Sequence, residues 1–201
     1  MKRLIPIGLL AVFAIMSGDY ALGDGMTSED LLTPDVARLL ESGGVHAEVW
    51  RDNTRDDAAM DVFSAVDIAA SPELIWNVMT DCDRSLEIVD KMRSCLILEA
   101  GEGWDIREQK VRSGFFTTTS VFRSDYDFPR TIHISKAGGD MEVQEGVWRL
   151  EPVGDGITRL SYRAASCPSF PIPSRLLKHA MKKDVPEILR RLRDAAEGDA
   201  G

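Results

Sequence analysis

Residues 174–197, SRLLKHAMKKDVPEILRRLRDAAE, decide the fold. Leu176, Leu177, Ala180, Met181, Val185, Ile188, Leu189 and Leu192 recur at helical spacing and form one apolar stripe. Arg175, Lys178, Lys182, Lys183, Arg190, Arg191 and Arg193 lie mostly off that stripe. Ser174 is the expected N-cap. Pro186 sits inside the helix, removes a hydrogen bond to the carbonyl of Lys182 and predicts a bend. A single long helix laid across a strongly curved antiparallel sheet cannot fill all the space beneath it. The pattern therefore predicts a cavity, roofed by this helix.

Working back from the helix, Pro168, Pro171 and Pro173 make a stiff connector. Before it come short extended runs separated by turn residues: 95–98, 104–111, 115–125, 131–136, 141–150 and 157–165. The punctuation is Gly101-Glu102-Gly103, Ser113-Gly114, Asp127-Phe128-Pro129, Gly138-Gly139-Asp140 and Gly154-Asp155-Gly156. Such spacing indicates hairpin-connected antiparallel strands. Further upstream, Ser71-Pro72-Glu73 starts a helix, with a capping serine, proline at the first position and an acid in the first turn. Leu74, Ile75, Val78 and Met79 are its inner face. A second short amphipathic piece spans 84–92, with Leu86, Val89 and Met92 as its expected inner residues. Two strands, 45–50 and 61–68, form a hairpin around the charged turn 53–57. Thr33-Pro34-Asp35 begins a short helix carrying Val36, Leu39 and Leu40, which stops at Gly43-Gly44. Residues 26–32 show little pattern and are expected to be a mobile lead-in.

The N-terminus reads differently. Lys2 and Arg3 precede a thirteen-residue, mostly apolar run from Leu4 to Met16, and Ala21 and Gly23 are spaced for cleavage. This is the layout of a secretory signal peptide. The run is shorter than the roughly 20 residues a membrane span needs. Cleavage after Gly23 leaves 178 of the 201 residues. The expected division is a leader (1–23), a lead-in with a short helix (24–44), one main domain (45–197) and a flexible tail (198–201). The product is expected in the periplasm or outside the cell.

Loss of Lys2, Arg3 and Asp19 with the leader takes the formal charge from −9 to −10. An acidic chain with no basic cluster outside the last helix argues against nucleic acid as partner. The basic residues of that helix read as a solvated face, with transient contact to a membrane surface as the alternative. In an oxidising compartment Cys82 and Cys95, thirteen positions apart across a helix-to-strand connection, are the natural disulfide pair. The alternative is that all three cysteines, Cys167 included, pack as buried thiols.

Specific residues accompany this order of elements. Val66-Asp67-Ile68-Ala69-Ala70-Ser71-Pro72-Glu73-Leu74-Ile75-Trp76 leads to Thr80-Asp81. Later, Gly146-Val147-Trp148-Arg149-Leu150-Glu151-Pro152 leads through Asp155-Gly156 to Thr158-Arg159-Leu160-Ser161-Tyr162. Across residues 45–196 the chain resembles the START-like, Bet v 1-type (SRPBCC) superfamily. Its flavour is that of the bacterial polyketide cyclase/dehydrase and coenzyme Q-binding group. The resemblance implies an α+β helix-grip fold, a curved antiparallel sheet wrapped around a long C-terminal helix. It does not settle function, because that superfamily holds carriers, receptors and enzymes alike.

Residue chemistry narrows the choice. His46, His133 and His179 share no metal-ligand spacing, and no nucleophile elbow or phosphate loop is present. No cofactor, metal or catalytic set is expected. Polar strand residues with a chance of facing inward are Arg107 or Glu108, His133, Tyr162 and Arg163, with His133 expected on the outer face and Tyr162 on the inner. The expected reading is a carrier of a hydrophobic small molecule, whether a lipid, a sterol-like compound or an isoprenoid. The alternatives are a cyclase or dehydratase acting on a polyketide-like substrate, and a structural domain with a filled core. The expected cavity lining is Trp104, Ile106, Phe116, Phe122, Trp148, Leu160, Tyr162, Leu177, Met181 and Ile188. Segments 84–92 and 168–173 are expected to gate it. Oligomeric state is not legible.

Overall fold

A computed structural model describes residues 27–53, 55–113 and 116–200. The expected leader lies outside them. The elements in chain order are α1 (Ser28–Leu31), α2 (Pro34–Glu41), β1 (Val45–Trp50), β2 (Met60–Ile68), α3 (Pro72–Thr80), α4 (Cys82–Ile88), β3 (Met92–Gly101), β4 (Trp104–Ser113), β5 (Phe116–Asp127), β6 (Thr131–Gly139), β7 (Met141–Gly154), β8 (Ile157–Pro168) and α5 (Ser174–Ala200). Polar caps begin α1 to α4, whereas α5 starts at Ser174 itself, one residue earlier than its expected role as N-cap, with the Pro173 carbonyl accepting from the Leu176 and Leu177 amides. Thr33 accepts from the Val36 amide, Ser71 from Leu74, and Asp81 from Asp83 and Arg84. Residues 27–32, within the expected lead-in, are more ordered than expected. Thr27 and Asp30 cap one another reciprocally and start α1. At the other end α5 continues unbroken through Pro186 and past the expected stop to Ala200.

All eight strands form one antiparallel sheet in the order β1-β2-β8-β7-β6-β5-β4-β3. Consecutive strands pair as hairpins except where α3 and α4 carry the chain from β2 to the far edge, at β3. That crossing makes the grip, because the two short helices and α5 all lie on the same concave face. β2 is buried on both sides. Its Val62, Val66 and Ile68 face the helices, whereas Phe63 and Ala65 pack beneath Val36 and Leu40 of α2 on the convex side.

Two clusters hold α5 down. Towards its C-terminal end, Leu189, Leu192 and Ala196 join Val66, Ile68, Ile75, Val78, Leu150 and Leu160. Towards its N-terminal end, Leu177, Met181 and Val185 pack on Val49, Met60, Val62 and Ala164. Gly146 permits the close approach of β7 and β8: a Cβ there would lie 2.8 Å from that of Ala164 and 3.0 Å from the Arg163 carbonyl oxygen. Five residues back along β8 from Ala164, the Arg159 guanidinium donates two 2.8 Å hydrogen bonds to the Asp67 carboxylate across β2 and β8. Cys82 and Cys95 are joined as a disulfide between α4 and β3, and Cys167 is free and buried.

Candidate functional site: a cavity beneath the closing helix

Between the two clusters the core opens into a cavity of about 280 Å³. Its roof is α5, through Val185, Ile188, Leu189 and Leu192, and its side wall is Val78, Ile88, Val89 and Met92 from α3, α4 and the start of β3. The floor is the concave face of β4 to β8.

Four of the ten expected lining residues are brought together here: Phe122, Trp148, Tyr162 and Ile188. The other six lie elsewhere, for three reasons. Trp104 and Ile106 point to the opposite face of β4, because its inward positions are Asp105, Arg107 and Gln109. Trp104 is instead covered by the Arg123 guanidinium, 4.2 Å above its ring. Phe116 begins β5 beyond the end of the cavity, is 68% exposed and stacks on Phe170. Leu160, Leu177 and Met181 do face the helix side, but in the parts where sheet and helix meet directly. In the expected short amphipathic piece, Ile88 rather than Leu86 is inward; Leu86 is 39% exposed.

Of the polar candidates, Arg107 and Tyr162 reach the cavity. Glu108 faces outward and pairs with Lys110 at 2.9 Å. His133 lies on the outer face of β6, as its alternation with Ile132 and Ile134 predicts; burial and the nearby Arg149 charge hold its pKa below the ordinary value. Arg163 is buried on the convex side, level with Phe63.

The polar end of the cavity is built from β4 and β5. Arg107 Nε donates to both Asp105 carboxylate oxygens at 2.9 Å, and Arg107 Nη2 donates to Asp105 Oδ2 at 2.7 Å and to the Tyr126 hydroxyl at 2.8 Å. Tyr126 in turn donates to Asp105 Oδ2 at 2.6 Å. Arg107 and Asp105 are each only 5% exposed. Burial opposes the arginine's charge, but Asp105 and Tyr126 outweigh it and raise its pKa. Burial first, and the bond to Asp105 second, push Tyr126 up to about 12. The trio is thus a satisfied ion pair with a phenol attached. Among the described residues nothing accepts a hydrogen bond from Arg107 Nη1, and the residue borders the cavity. Sequence reading missed Asp105, Tyr126, Ser124 and Gln109, since polar strand positions read as outward-facing; Phe122, opposite Arg107 in the register, is the signal that marks the face.

Tyr162 is the other polar group. Its ring stacks on Trp148 with centroids 3.9 Å apart and planes 17° from parallel. Burial alone pushes its pKa up to about 12, so it keeps its proton at neutral pH. Among the described residues its hydroxyl has no hydrogen-bond partner, and the residue lines the cavity. The cavity is therefore apolar with a cationic corner and an unfilled donor.

Residues 68–193 match the family model described as polyketide cyclase/dehydrase and lipid transport. The chain belongs to this family. The match covers most of the grip, from the last residue of β2 into the second half of α5. The polyketide cyclase/dehydrase and lipid transport family sits within the START-like, Bet v 1-type superfamily, and solved structures of that fold superpose on this chain. A STAR-related lipid transfer protein from Xanthomonas axonopodis gives a TM-score of 0.66 at 15% identity, over 76% of this chain and 93% of its own. Human STARD10 gives 0.64 at 11% identity, over 76% and 69%. The Zhui aromatase/cyclase from Streptomyces gives 0.58 at 19% identity, over 71% and 93%. At such identities the likeness is one of fold. No curated protein matches the chain.

Proposed function

We propose that this protein binds one amphipathic small molecule in the cavity and carries it outside the cytoplasm. The observation that carries the reading is the donor of Tyr162 left unfilled on a mostly apolar surface with a polar end at Arg107. An apolar body driven in by burial, at about 25 cal/mol per Å², with one acceptor group reaching Tyr162 or Arg107, satisfies both. At roughly 30 Å³ per water-sized group, 280 Å³ accommodates about nine such groups, the bulk of a short acyl or isoprenoid chain. A longer lipid requires α4 to move. Membership of a family described by both cyclisation and lipid transport leaves enzyme and carrier as the two classes to weigh. The lining residues include neither a carboxylate nor a histidine, and Asp105 behind them is engaged by Arg107 and Tyr126. Acid–base chemistry would fall to Tyr126 or Tyr162, each pushed up to about 12 and so far from the operating pH, whereas the binding reading asks for no proton transfer. The apolar leader and the Cys82–Cys95 bridge support an exported carrier.

The test is to extract the purified protein and identify its contents by mass spectrometry, then to measure displacement of a fluorescent fatty acid by a panel of lipids and isoprenoids. Ile188→Trp, which fills the cavity, should abolish binding. Tyr162→Phe should weaken it about fivefold to tenfold, the worth of one buried hydrogen bond. Empty protein that binds nothing in the panel would overturn the reading and leave a structural domain. Turnover of a polyketide-like substrate would replace it with an enzyme. N-terminal analysis of periplasmic protein should find the chain starting at residue 24.

A further inference from the structure

The chain carries a net charge of −9, yet residues 174–183 hold Arg175, Lys178, Lys182 and Lys183 and no carboxylate. None of these four makes an ion pair among the described residues. By contrast Arg190, Arg191 and Arg193, further along the same helix, are all paired with acids. Leu177 and Met181 take the core side of this part of α5. The helical period then turns Arg175, Leu176, His179, Lys182 and Lys183 outward together. Leu176 is 60% exposed.

An aromatic group precedes these cations along the chain, five residues before Arg175. Phe170, in the connector that leads into α5, stacks on Phe116 from the start of β5, with ring centroids 6.4 Å apart and planes 21° from parallel. Among the described residues, neither ring belongs to one of the four core clusters. The patch also continues from the cavity. Gln109 and Ser120 are register partners on the hairpin whose tip bears Phe116, and Ser120 donates to Gln144 at 2.6 Å. Gln109, Gln144 and Val185 line the cavity, and Val185 lies two residues beyond Lys183.

We propose that this patch docks the protein onto a bilayer containing anionic phospholipid. Phe116, Phe170 and Leu176 enter the headgroup layer, where aromatic and aliphatic groups of this kind are stable. The three outward cations, Arg175, Lys182 and Lys183, face the phosphates, each worth roughly fivefold in affinity near an anionic surface. An acidic protein would answer the cations, but it gives no reason for Phe116, 68% exposed and stacked on Phe170 in the segment that leads into α5. Docking presents the Gln109–Gln144 end of the cavity to the membrane. Only that last consequence rests on the binding reading above; docking itself needs no ligand.

Flotation with phosphatidylcholine vesicles, with and without phosphatidylglycerol, tests it. All proteins share one N-terminus, so differences report the patch. The wild-type chain should float with anionic vesicles, far less with neutral ones, and should be released by high salt. Amide exchange should slow in 116–120 and 170–183 when anionic vesicles are added. Arg175→Gln/Lys182→Gln/Lys183→Gln and Phe116→Ser/Leu176→Ser should each weaken binding by at least roughly tenfold, with unchanged circular dichroism and lipid displacement from the cavity. Binding that survives both variants, or no change in exchange at those segments, overturns the proposal. So does retention on a soluble polyanion without binding to vesicles, which indicates an acidic protein partner. A variant that loses vesicles but keeps its cavity ligand separates failure of docking from failure of the binding reading.

Discussion

Arg107 and Asp105 show what a buried charge does when its partner is two residues away on the same strand. With both present, every oxygen of Asp105 is engaged and the pair is tolerated in the core. Arg107→Ala leaves the carboxylate buried without its counter-charge, and urea unfolding should show a loss of about 3–5 kcal/mol. Arg107→Met with Asp105→Leu removes both charges and should recover most of that loss, because the desolvation cost disappears along with the attraction. His46 supplies the pH dependence. It packs against Phe63 with centroids 5.8 Å apart, and burial lowers its pKa. The unfolded chain then binds more protons than the folded one below the ordinary histidine pKa. Stability is complete above about pH 6.5 and declines as pH falls below it. Lowering of the His133 pKa acts in the same direction. Melting temperature should therefore drop between pH 7.5 and pH 5, and His46→Gln should shrink the drop.

At the scale of elements, the informative piece is α4. It is seven residues long, too short to be a stable helix alone. The Cys82–Cys95 bridge ties its start to β3, and ion pairs tie the same region to α5: Arg84 with Asp199, Lys91 with Asp184, and Asp90 with Arg191. α4 is thus fastened along the cavity wall by one covalent link and several exposed charges, the latter individually weak and sensitive to salt. Cys82→Ser/Cys95→Ser should cost about 3 kcal/mol for a loop of this length, and should quicken amide exchange across 82–92 more than elsewhere. The β7–β8 pair makes the opposite point. Gly146→Val puts a branched side chain against Ala164, Arg163 and Tyr162, where contacts would already fall at 2.8–3.2 Å for a Cβ alone. Overpacking there should cost about 1–3 kcal/mol, and it should also disturb the Tyr162–Trp148 stack, visible in tryptophan fluorescence.

At the scale of the whole molecule, the cavity is a place where the fold forgoes packing that the adjoining clusters achieve. A ligand that enters it binds the folded state alone, so saturation at about a hundred times Kd should raise stability by roughly 2.7 kcal/mol. A thermal shift screen reads this directly, and Ile188→Trp should remove the response. The order of elements was legible along the chain because each rests on local chemistry: Ser71-Pro72 starts α3, paired glycines turn the hairpins, and the stripe from Leu177 to Leu192 marks α5. Hydrophobicity alone misplaced much of the lining. Trp104 and Ile106 suggest an inner face for β4, yet the register with β5 turns Arg107 and Asp105 inward instead. Leu177, Met181 and Leu160 carry the same apolar signal whether they meet an opposing side chain or a void.

What the sequence determined by itself is therefore the helix-grip order, its caps and turns, and the existence of an apolar face on α5, since these follow from spacing of three to four residues or fewer. Only the tertiary structure decided which stretch of that face stands over open space. That depends on how β2 and β8 rise to meet Leu177 and Met181 at one end of α5, and Leu189 and Leu192 at the other, leaving Ile188 and Tyr162 on either side of the gap. Contacts between residues a hundred positions apart set that distance, and no local pattern encodes it.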